Sequence, residues 1–432
     1  MTNNSYTLLE CAHALRTVEI TPQTYLEEIT NRFDTVEQDI KAFLPEEDRW
    51  SRLDTAVSHL ESRFPQPDRR PPLYGVPVGV KDIFSVDGFN RKAGSEVPAA
   101  ALAGSESPIV TQLKNAGALI LGRTVTTEFA HADPGPTRNP HNLAHTPGGS
   151  SSGSAAAVAG GLCPLALGSQ TIGSVARPAA FCGVVGVKPS YERVNMNGVF
   201  PVAPSVDTAG YFTNDIAGAQ LAAGVIYDDW RANDKPTNNC TIGAVEGSYL
   251  SQASVEAQEQ FETHLAKLTE AGYDIRRVQP FDDIEAINER HQRLVAAEMA
   301  LSQSELYPQF GDQYAPETVE LIQEGQHIAV EELSAARRGR TLLRERIHTL
   351  LNEQSISVLV SPSAVGAAPE GIDSTGNPIM NLPWSHAGVP TVTLPASQTE
   401  AGLPIGLQCA GRYGRDEWLL SWSEGIATAL DD

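Results

Sequence analysis

Two serines are candidates for a catalytic nucleophile. Ser150 and Ser174 lie in a stretch, residues 147–189, that is dominated by glycine, serine and alanine and whose only charged residues are Arg177 and Lys188. Glycine allows backbone conformations that other residues resist, and the apolar segment between the two serine turns would be buried. The stretch therefore indicates a scaffold that fixes two hydroxyls, and hydroxyl-based catalysis is the first hypothesis.

Lys81 is a candidate for the base that would activate a serine. It ends a run in which Val76, Val78 and Val80 alternate with other residues, which predicts a buried strand. A charged lysine is costly to bury, and desolvation lowers its pKa towards the neutral form that can accept a proton. The local sequence leaves open a lysine that reaches solvent or pairs with the adjacent Asp82.

The turn before Ser174 offers backbone donors for an oxyanion. In Thr171-Ile172-Gly173-Ser174, successive N–H groups could bind the oxyanion of a tetrahedral intermediate. Lys81 would then act as the base, and Ser150 would pass the proton between the lysine and the nucleophile.

Two other uses of the serine-rich stretch are weaker. The residues 149–153 match G-x-S-x-G and nominate Ser151, but that motif follows a strand, and residues 142–147 predict none. A glycine-rich phosphate loop is not supported either, since neither G-x-x-x-x-G-K-[ST] nor G-x-G-x-x-G follows a predicted strand. The pattern therefore favours a serine activated by lysine.

Strands and helices alternate along the chain, which predicts an α/β protein with a central sheet. Thr21 followed by Pro22 predicts the start of the second of two helices within residues 6–45. The other long helices are predicted at 54–64, 254–272, 283–305, 331–352 and 416–430. Strands are predicted at 73–84, in the second half of 109–124, and at 241–247, 273–279, 355–363, 389–397 and 403–411. No segment resembles an interdomain linker, so one large domain is expected.

Composition narrows the partners and the compartment. The net charge of −22 argues against a nucleic acid or an anionic membrane as partner. No apolar run is long enough to span a membrane, and the N-terminus lacks the features of a signal peptide. Five scattered cysteines without a C-x-x-C pair are typical of reduced thiols in a cytoplasmic protein. His131, His141 and His145 lie in an irregular, proline-rich segment and are expected to be loop histidines rather than metal ligands.

Several long blocks, taken together, resemble the amidase signature family. They are GVPVGVKD, TRNP, PGGSSSGSAAAVAGG, LALGSQTIGSVARPAAFCGVVGVKP, FPVAPSVDTAG, NPIMNLPWSHAGVPTVTLP and GLPIGLQCAG, in the order and spacing of that family. The resemblance covers nearly the whole chain. It implies a single α/β domain over 1–432, with a mixed central sheet covered by helices on both faces. Within it, 1–65 would be an N-terminal helical segment, 70–215 the catalytic core, and 240–432 the part that completes the sheet and the substrate pocket.

The resemblance also implies a Ser–cisSer–Lys triad. Lys81 would be the base, Ser150, after a cis Gly149–Ser150 peptide, the proton relay, and Ser174 the nucleophile. The oxyanion would be held by the N–H groups of Thr171, Ile172, Gly173 and Ser174. The implied reaction is hydrolysis of a small-molecule amide through an acyl-enzyme, with no metal or organic cofactor.

Three positions in the resembling blocks distinguish this chain from many family members. Ile172 and Gln170 stand where many members have glycine and aspartate. Arg177, in Ser-Val-x-Arg-Pro, resembles the malonamidase-like branch, where such an arginine can hold a substrate carboxylate. A structural arginine that ties the loop to backbone carbonyls is the alternative.

Two rival functions remain to be weighed. The glutaminase subunit of a tRNA-dependent amidotransferase has an acidic residue where this chain has Gly376-Asn377-Pro378. A non-catalytic binding subunit is disfavoured by the presence of Lys81, Ser150 and Ser174 together. A cytoplasmic location is expected, and a homodimer is left open.

Overall fold

The computed structural model describes residues 6–131, 133–237 and 240–431. Ten strands in this part of the chain form one sheet, in the order β2-β1-β3-β5-β4-β9-β10-β8-β6-β7. Their bounds are β1 Pro77–Lys81, β2 Leu119–Thr124, β3 Leu165–Gln170, β4 Val185–Lys188, β5 Thr208–Thr213, β6 Thr241–Val245, β7 Asp274–Val278, β8 Val358–Pro362, β9 Thr391–Gln398 and β10 Pro404–Ala410.

The sheet is mixed, as predicted. At one end β1 pairs in parallel with β2 and β3, and at the other end β6 pairs in parallel with β7 and β8. The central pairs β3–β5, β5–β4, β4–β9, β9–β10 and β10–β8 are antiparallel. The division into segments stays a prediction, although the β4–β9 pair joins the 70–215 and 240–432 segments in one sheet.

Fourteen α-helices surround the sheet in the described residues. Their bounds are α1 Leu8–Thr17, α2 Pro22–Ile40, α3 Arg49–Arg63, α4 Pro108–Asn115, α5 Ser152–Ala159, α6 Ala176–Cys182, α7 Ile216–Ile226, α8 Val255–Glu270, α9 Ile284–Ser302, α10 Tyr307–Phe310, α11 Pro316–Gln326, α12 Val330–Glu353, α13 Leu382–Ala387 and α14 Asp416–Asp431. Helices α5 and α6 pack on each other and on the sheet, while α7, α8 and α14 form a second group against it. The predicted α/β class is confirmed.

Local signals fixed some helix ends and tertiary contacts fixed others. Thr21 caps α2 as predicted, since its hydroxyl accepts a hydrogen bond from Thr24 N (3.1 Å) and Pro22 is the first helical residue. Helix α3 begins at Arg49 and not at residue 54. The Arg49 guanidinium lies 4.5 Å from the centre of the Phe33 ring and donates to Leu44 O (2.8 Å), contacts that sequence periodicity does not show.

The parallel pairing of β1 and β3 positions the candidate site. Val80 aligns with Leu167, so the carboxyl ends of both strands lie at the same edge of the sheet. That edge carries Lys81, at the end of β1, and Ser169 and Gln170, at the end of β3. Among the helices of the described residues, none is both long and apolar enough to cross a membrane.

Candidate active site

Lys81 is fully buried and bonded to two hydroxyls. Its Nζ donates hydrogen bonds to Ser150 Oγ (2.8 Å) and to Ser169 Oγ (2.9 Å). The adjacent Asp82 forms an ion pair with the buried Arg123 instead. Of the arrangements that the sequence left open, the lysine therefore neither reaches solvent nor pairs with Asp82.

Burial sets the charge of this lysine. Desolvation holds the pKa of Lys81 well below its ordinary value, because the ammonium loses its hydration inside the protein. The negative charge of Asp207 acts in the opposite direction and raises that pKa. The net effect shifts Lys81 towards the neutral amine, whose lone pair can take a proton from a hydroxyl.

The loop before α5 carries Ser150. The Gly149–Ser150 peptide is cis, as the resemblance implies, and Ser150 is 1% exposed. A Cβ on Gly149 would lie 2.6 Å from Cγ2 of Thr375, so the loop packs closely against this threonine at the glycine position. The neighbouring Ser151 is fully buried and exchanges hydrogen bonds with the backbone of Ser169. The G-x-S-x-G hypothesis therefore has no support from the position of Ser151.

Gln170 holds the turn that carries Ser174 by hydrogen bonds to the residues that follow this serine. Gln170 ends β3, and its Oε1 accepts hydrogen bonds from Val175 N (2.8 Å) and Ala176 N (2.9 Å) at the start of α6. An aspartate could also accept these two bonds. The amide adds a donor that an aspartate lacks.

That donor connects the turn to α13. Gln170 Nε2 donates to Ser385 Oγ (3.0 Å), and Ser385 Oγ in turn donates to Ile172 O (2.7 Å). The hydroxyl of Ser385 therefore bridges both sides of the turn. Gln170, which departs from the common family pattern, keeps the capping role and gains this second attachment.

The first residue of the turn is held by a buried carboxylate. Thr171 Oγ1 donates to Asp207 Oδ1 (2.7 Å), and Asp207 Oδ2 accepts from Val202 N (2.8 Å) and Ala203 N (2.9 Å). Burial raises the pKa of Asp207 to about 6, against the lowering effect of these hydrogen bonds. Asp207 thus links the turn to the charge environment of Lys81.

The turn presents backbone donors that no protein group uses. Within residues 6–131, 133–237 and 240–431, no acceptor takes the N–H groups of Ile172, Gly173 and Ser174. A Cβ on Gly173 would lie 2.5 Å from Asn381 Oδ1, so this position requires glycine. Free N–H groups beside a serine hydroxyl are the arrangement that stabilises an oxyanion.

A cavity of about 380 Å³ opens on this turn. Ser174 lines it and is 8% exposed, whereas Lys81 and Ser150 lie behind it. The cavity is lined by Ala130, His131, Asp133, Pro134, Thr171, Ile172, Gly173, Ser174, Arg177, Val202, Val295, Glu317, Asp373, Ser374, Thr375, Gly376 and Pro378. The nucleophile predicted from the sequence is therefore the serine that a bound molecule would meet.

Arg177 also lines the cavity, but three of its N–H groups donate to the protein and its Nε is buried without a hydrogen-bond partner among the described residues. The guanidinium donates to Gly376 O (2.6 Å), Gly149 O (2.7 Å) and Thr375 Oγ1 (3.0 Å). Burial lowers the pKa of Arg177 to about 9. The contacts match the structural alternative of the sequence analysis, because they tie the cavity wall to the loop of Ser150.

The loop histidines do not come together. The rings of His141 and His145 bond to the carbonyl oxygens of Cys182 (2.9 Å) and Ala368 (2.8 Å), while His131 lines the cavity. In the part of the chain that the structure describes, no group of three or more histidine, cysteine or acidic side chains could hold a metal ion.

Sequence reasoning gave no role to Ser169, Asp207 or Ser385. Asp207 lies in the block FPVAPSVDTAG and Ser385 in NLPWSHAGVP, so both belong to blocks that carry the family resemblance. Ser169 is a polar residue near the end of an apolar strand, and this position could have indicated a site residue. What the sequence lacked was the pairing of β1 with β3 and the approach of α13 to the turn.

Comparison with known proteins gives the family and the fold. The amidase family matches residues 24–420. The chain is similar to the A subunits of two glutamyl-tRNA(Gln) amidotransferases, from Trichlorobacter lovleyi (30% identity, 94% of each chain) and from Prochlorococcus marinus (28% identity, 92% of each chain). A crystal structure of an amidase is similar over 98% of this chain and 100% of its own, with 30% identity and a TM-score of 0.89. A fatty acid amide hydrolase, at 19% identity and a TM-score of 0.88, shares the fold over 99% of this chain and 85% of its own.

Proposed function

Because the chain belongs to the amidase signature family, whose members hydrolyse amide C–N bonds, we propose that it cleaves a carboxylic amide to a carboxylate and ammonia or an amine through an acyl-enzyme on Ser174. The observation that carries this proposal is the buried contact between Lys81 Nζ and Ser150 Oγ (2.8 Å), behind a turn whose serine lines the cavity. The narrower relation to malonamidase-like amidases stays a prediction.

The first half of the reaction forms the acyl-enzyme. Neutral Lys81 takes the proton of Ser150, Ser150 takes that of Ser174, and Ser174 Oγ attacks the amide carbon. The developing oxyanion is met by the N–H groups of the turn 171–174. When the C–N bond breaks, the proton returns from Lys81 through Ser150 to the leaving nitrogen.

The second half releases the acid. Water gives its proton through Ser150 to Lys81 and attacks the ester carbon of the acyl-enzyme. When the C–O bond to Ser174 breaks, that proton returns from Lys81 through Ser150 to Ser174 Oγ, which restores the free enzyme. Ser169, the second partner of Lys81, holds the amine in place while its protonation changes. Each step uses groups of this chain and water alone.

The substrate is proposed to be a small amide, in keeping with the cavity of about 380 Å³. A carboxylate on the substrate, bound by Arg177, stays a prediction. The three hydrogen bonds that Arg177 makes to Gly376, Gly149 and Thr375 favour a structural role over that one.

A glutaminase subunit is the second candidate, because relatives from glutamyl-tRNA(Gln) amidotransferases match over most of the chain. The place before NLPWSHAGVP lacks an acidic residue, but Asp373 lines the cavity from the same segment. Ammonia release from glutamine only in the presence of partner subunits would favour this function. Hydrolysis of simple amides by the chain alone would favour an independent amidase.

The test of the proposed function combines hydrolysis with labelling. An amide panel is assayed by ammonia release, and a fluorophosphonate probe is used to label the nucleophile. In Ser174→Ala we expect loss of labelling and a fall in kcat of about 10⁴-fold or more, as for other serine nucleophiles. Ser251→Ala, at an exposed serine outside the cavity lining, is the control and should behave as the wild type. Retained hydrolysis in Ser174→Ala would contradict the assignment.

A further inference from the structure

The charged residues that line the cavity affect which acyl groups it can bind. We propose that this group carries an ammonium at the end of an apolar stem, and that Asp133 and Glu317 select it. The inference rests on the proposed function, since the cavity is identified as the substrate site by Ser174 and its turn, independently of its charge.

Three of the carboxylates that line the cavity form no ion pair within the described chain. Asp133, Glu317 and Asp373 lie on three different segments, and in the described ranges none of them forms an ion pair. Like charges that share a site without a counter-ion repel, and a cation bound between them relieves that repulsion. The lining therefore favours a positive group over a neutral one, and a neutral group over a negative one.

The basic groups of the lining cancel only part of this charge, because Arg177, whose partners are neutral, offsets one of the three carboxylates. Arg177 is the one lysine or arginine among the lining residues of the described chain, and its guanidinium is bonded to Gly376, Gly149 and Thr375. Burial lowers the pKa of His131, so its ring is neutral near pH 7. A substrate carboxylate would meet three carboxylates without ion-pair partners in the described residues, and the guanidinium of Arg177 already donates three hydrogen bonds to the protein and has its Nε buried.

The buried Glu128 connects the two chain segments that carry Asp133 and Glu317. The oxygens of Glu128 accept hydrogen bonds from Ala315 N (3.0 and 3.1 Å), just before α11, the helix that carries Glu317. The Glu128 N–H donates to Asp133 O (3.0 Å). Partial desolvation and the negative charge of Glu317 raise the pKa of Asp133. Glu128 therefore holds Asp133 and Glu317 on one side of the cavity.

The rest of the lining fits the stem of such a substrate. Ile172, Val202, Val295 and Pro378 contribute apolar surface to the cavity lining. An alkyl chain loses water contact against this surface, while its terminal ammonium would lie near the exposed carboxylates of Asp133 and Glu317. Amides of ω-amino acids have this form.

The experiment compares three amides of matched chain length. They are 5-aminopentanamide, which is cationic at pH 7.5, hexanamide, which is neutral, and the monoamide of adipic acid, which is anionic. We expect kcat/KM to fall in that order. Raising the salt concentration should reduce the preference for the cation, because salt screens exposed charges.

Charge-removing variants locate the preference. In Glu317→Gln the ratio of kcat/KM for 5-aminopentanamide to that for hexanamide should fall about threefold, and in Asp133→Asn/Glu317→Gln about tenfold, since exposed ion pairs are weak. Glu320→Gln removes the same charge from the same helix but lies outside the cavity lining. It should leave the ratio unchanged.

The outcomes separate this inference from the proposed function. Equal use of the three amides, a preference for the anion, or an equal fall of the ratio in Glu320→Gln would overturn the ammonium subsite and leave the amidase function standing. If none of the three amides is hydrolysed and the fluorophosphonate does not label Ser174, the amidase function fails and the subsite with it.

Discussion

Strands β1 and β4 end on the same four residues, Val-Gly-Val-Lys, and both lysines are buried almost completely. Burial lowers the pKa of both, well below the ordinary value for Lys81 and to about 7 for Lys188. Their partners differ. Lys81 bonds to the hydroxyls of Ser150 and Ser169, whereas Lys188 bonds to the carbonyl oxygens of Pro189 (3.0 Å) and Val389 (2.6 Å).

The difference shows what makes a buried lysine a base. A hydroxyl can donate its proton to a neutral amine, so the contact of Lys81 can reverse its direction. A carbonyl oxygen only accepts, so Lys188 can do nothing except donate. Burial and a lowered pKa are common to both lysines. The difference between a candidate base and a lysine with a structural role lies in the groups to which each lysine is hydrogen-bonded.

The largest expected effect comes from replacing each lysine by methionine. Lys81→Met should lower kcat by about 10⁴-fold, because the serine chain loses its base. Lys188→Met should keep kcat within a small factor but lower the free energy of unfolding by about 2 kcal/mol, because buried carbonyl groups lose their donor. Amide hydrolysis and thermal unfolding measure the two effects. Comparable loss of kcat in both variants would remove the distinction.

The fold was predictable where the periodicity of apolar residues was clear. Helices α9 and α12 begin and end within a few residues of the predicted bounds, because each has one buried and one exposed face. Helix α5 was missed. Its residues from Ser152 to Val158 are all buried, so no apolar stripe marks it as a helix.

The site was predictable only in part, because local sequence does not show which distant residues come into contact. The valine-rich strand made Lys81 a candidate and the resemblance implied its role as base, but the local sequence around Lys188 is the same over four residues. The contact of Ser385 with Ile172 joins positions that are far apart in the chain, and it arises from the packing of α13 against the turn. Such contacts depend on tertiary structure that no local pattern encodes.

Ser385 tests whether the chemistry of Lys81 depends on how the turn of Ser174 is held. Ser385→Ala removes the bridge between Gln170 and Ile172, so we expect kcat to fall about tenfold with little change in KM, as for a small displacement of reacting groups. Ser385→Thr, which keeps the hydroxyl, should restore most of kcat.

The matched control lies beside the other lysine. Ser190 is buried two residues after Lys188, and its hydroxyl donates to Asp416 Oδ2 (2.6 Å). Ser190→Ala should lower the melting temperature and leave kcat near the wild-type value. A fall in kcat as large as that in Ser385→Ala would mean that any buried serine has this effect.

The smallest effect concerns the carboxylate near each lysine. Asp207 raises the pKa of Lys81, and Asp416 raises that of Lys188. Because the proposed mechanism requires neutral Lys81, we expect kcat/KM to be lost as the pH falls through the pKa of that lysine. In Asp207→Asn a negative charge is lost, the pKa of Lys81 falls further, and the acidic limb of the pH profile moves to lower pH. Asp416→Asn should lower stability but leave this limb in place, because Lys188 takes no part in proton transfer. An unmoved limb in Asp207→Asn, or a shift in Asp416→Asn, would contradict the assignment of Lys81 as the base.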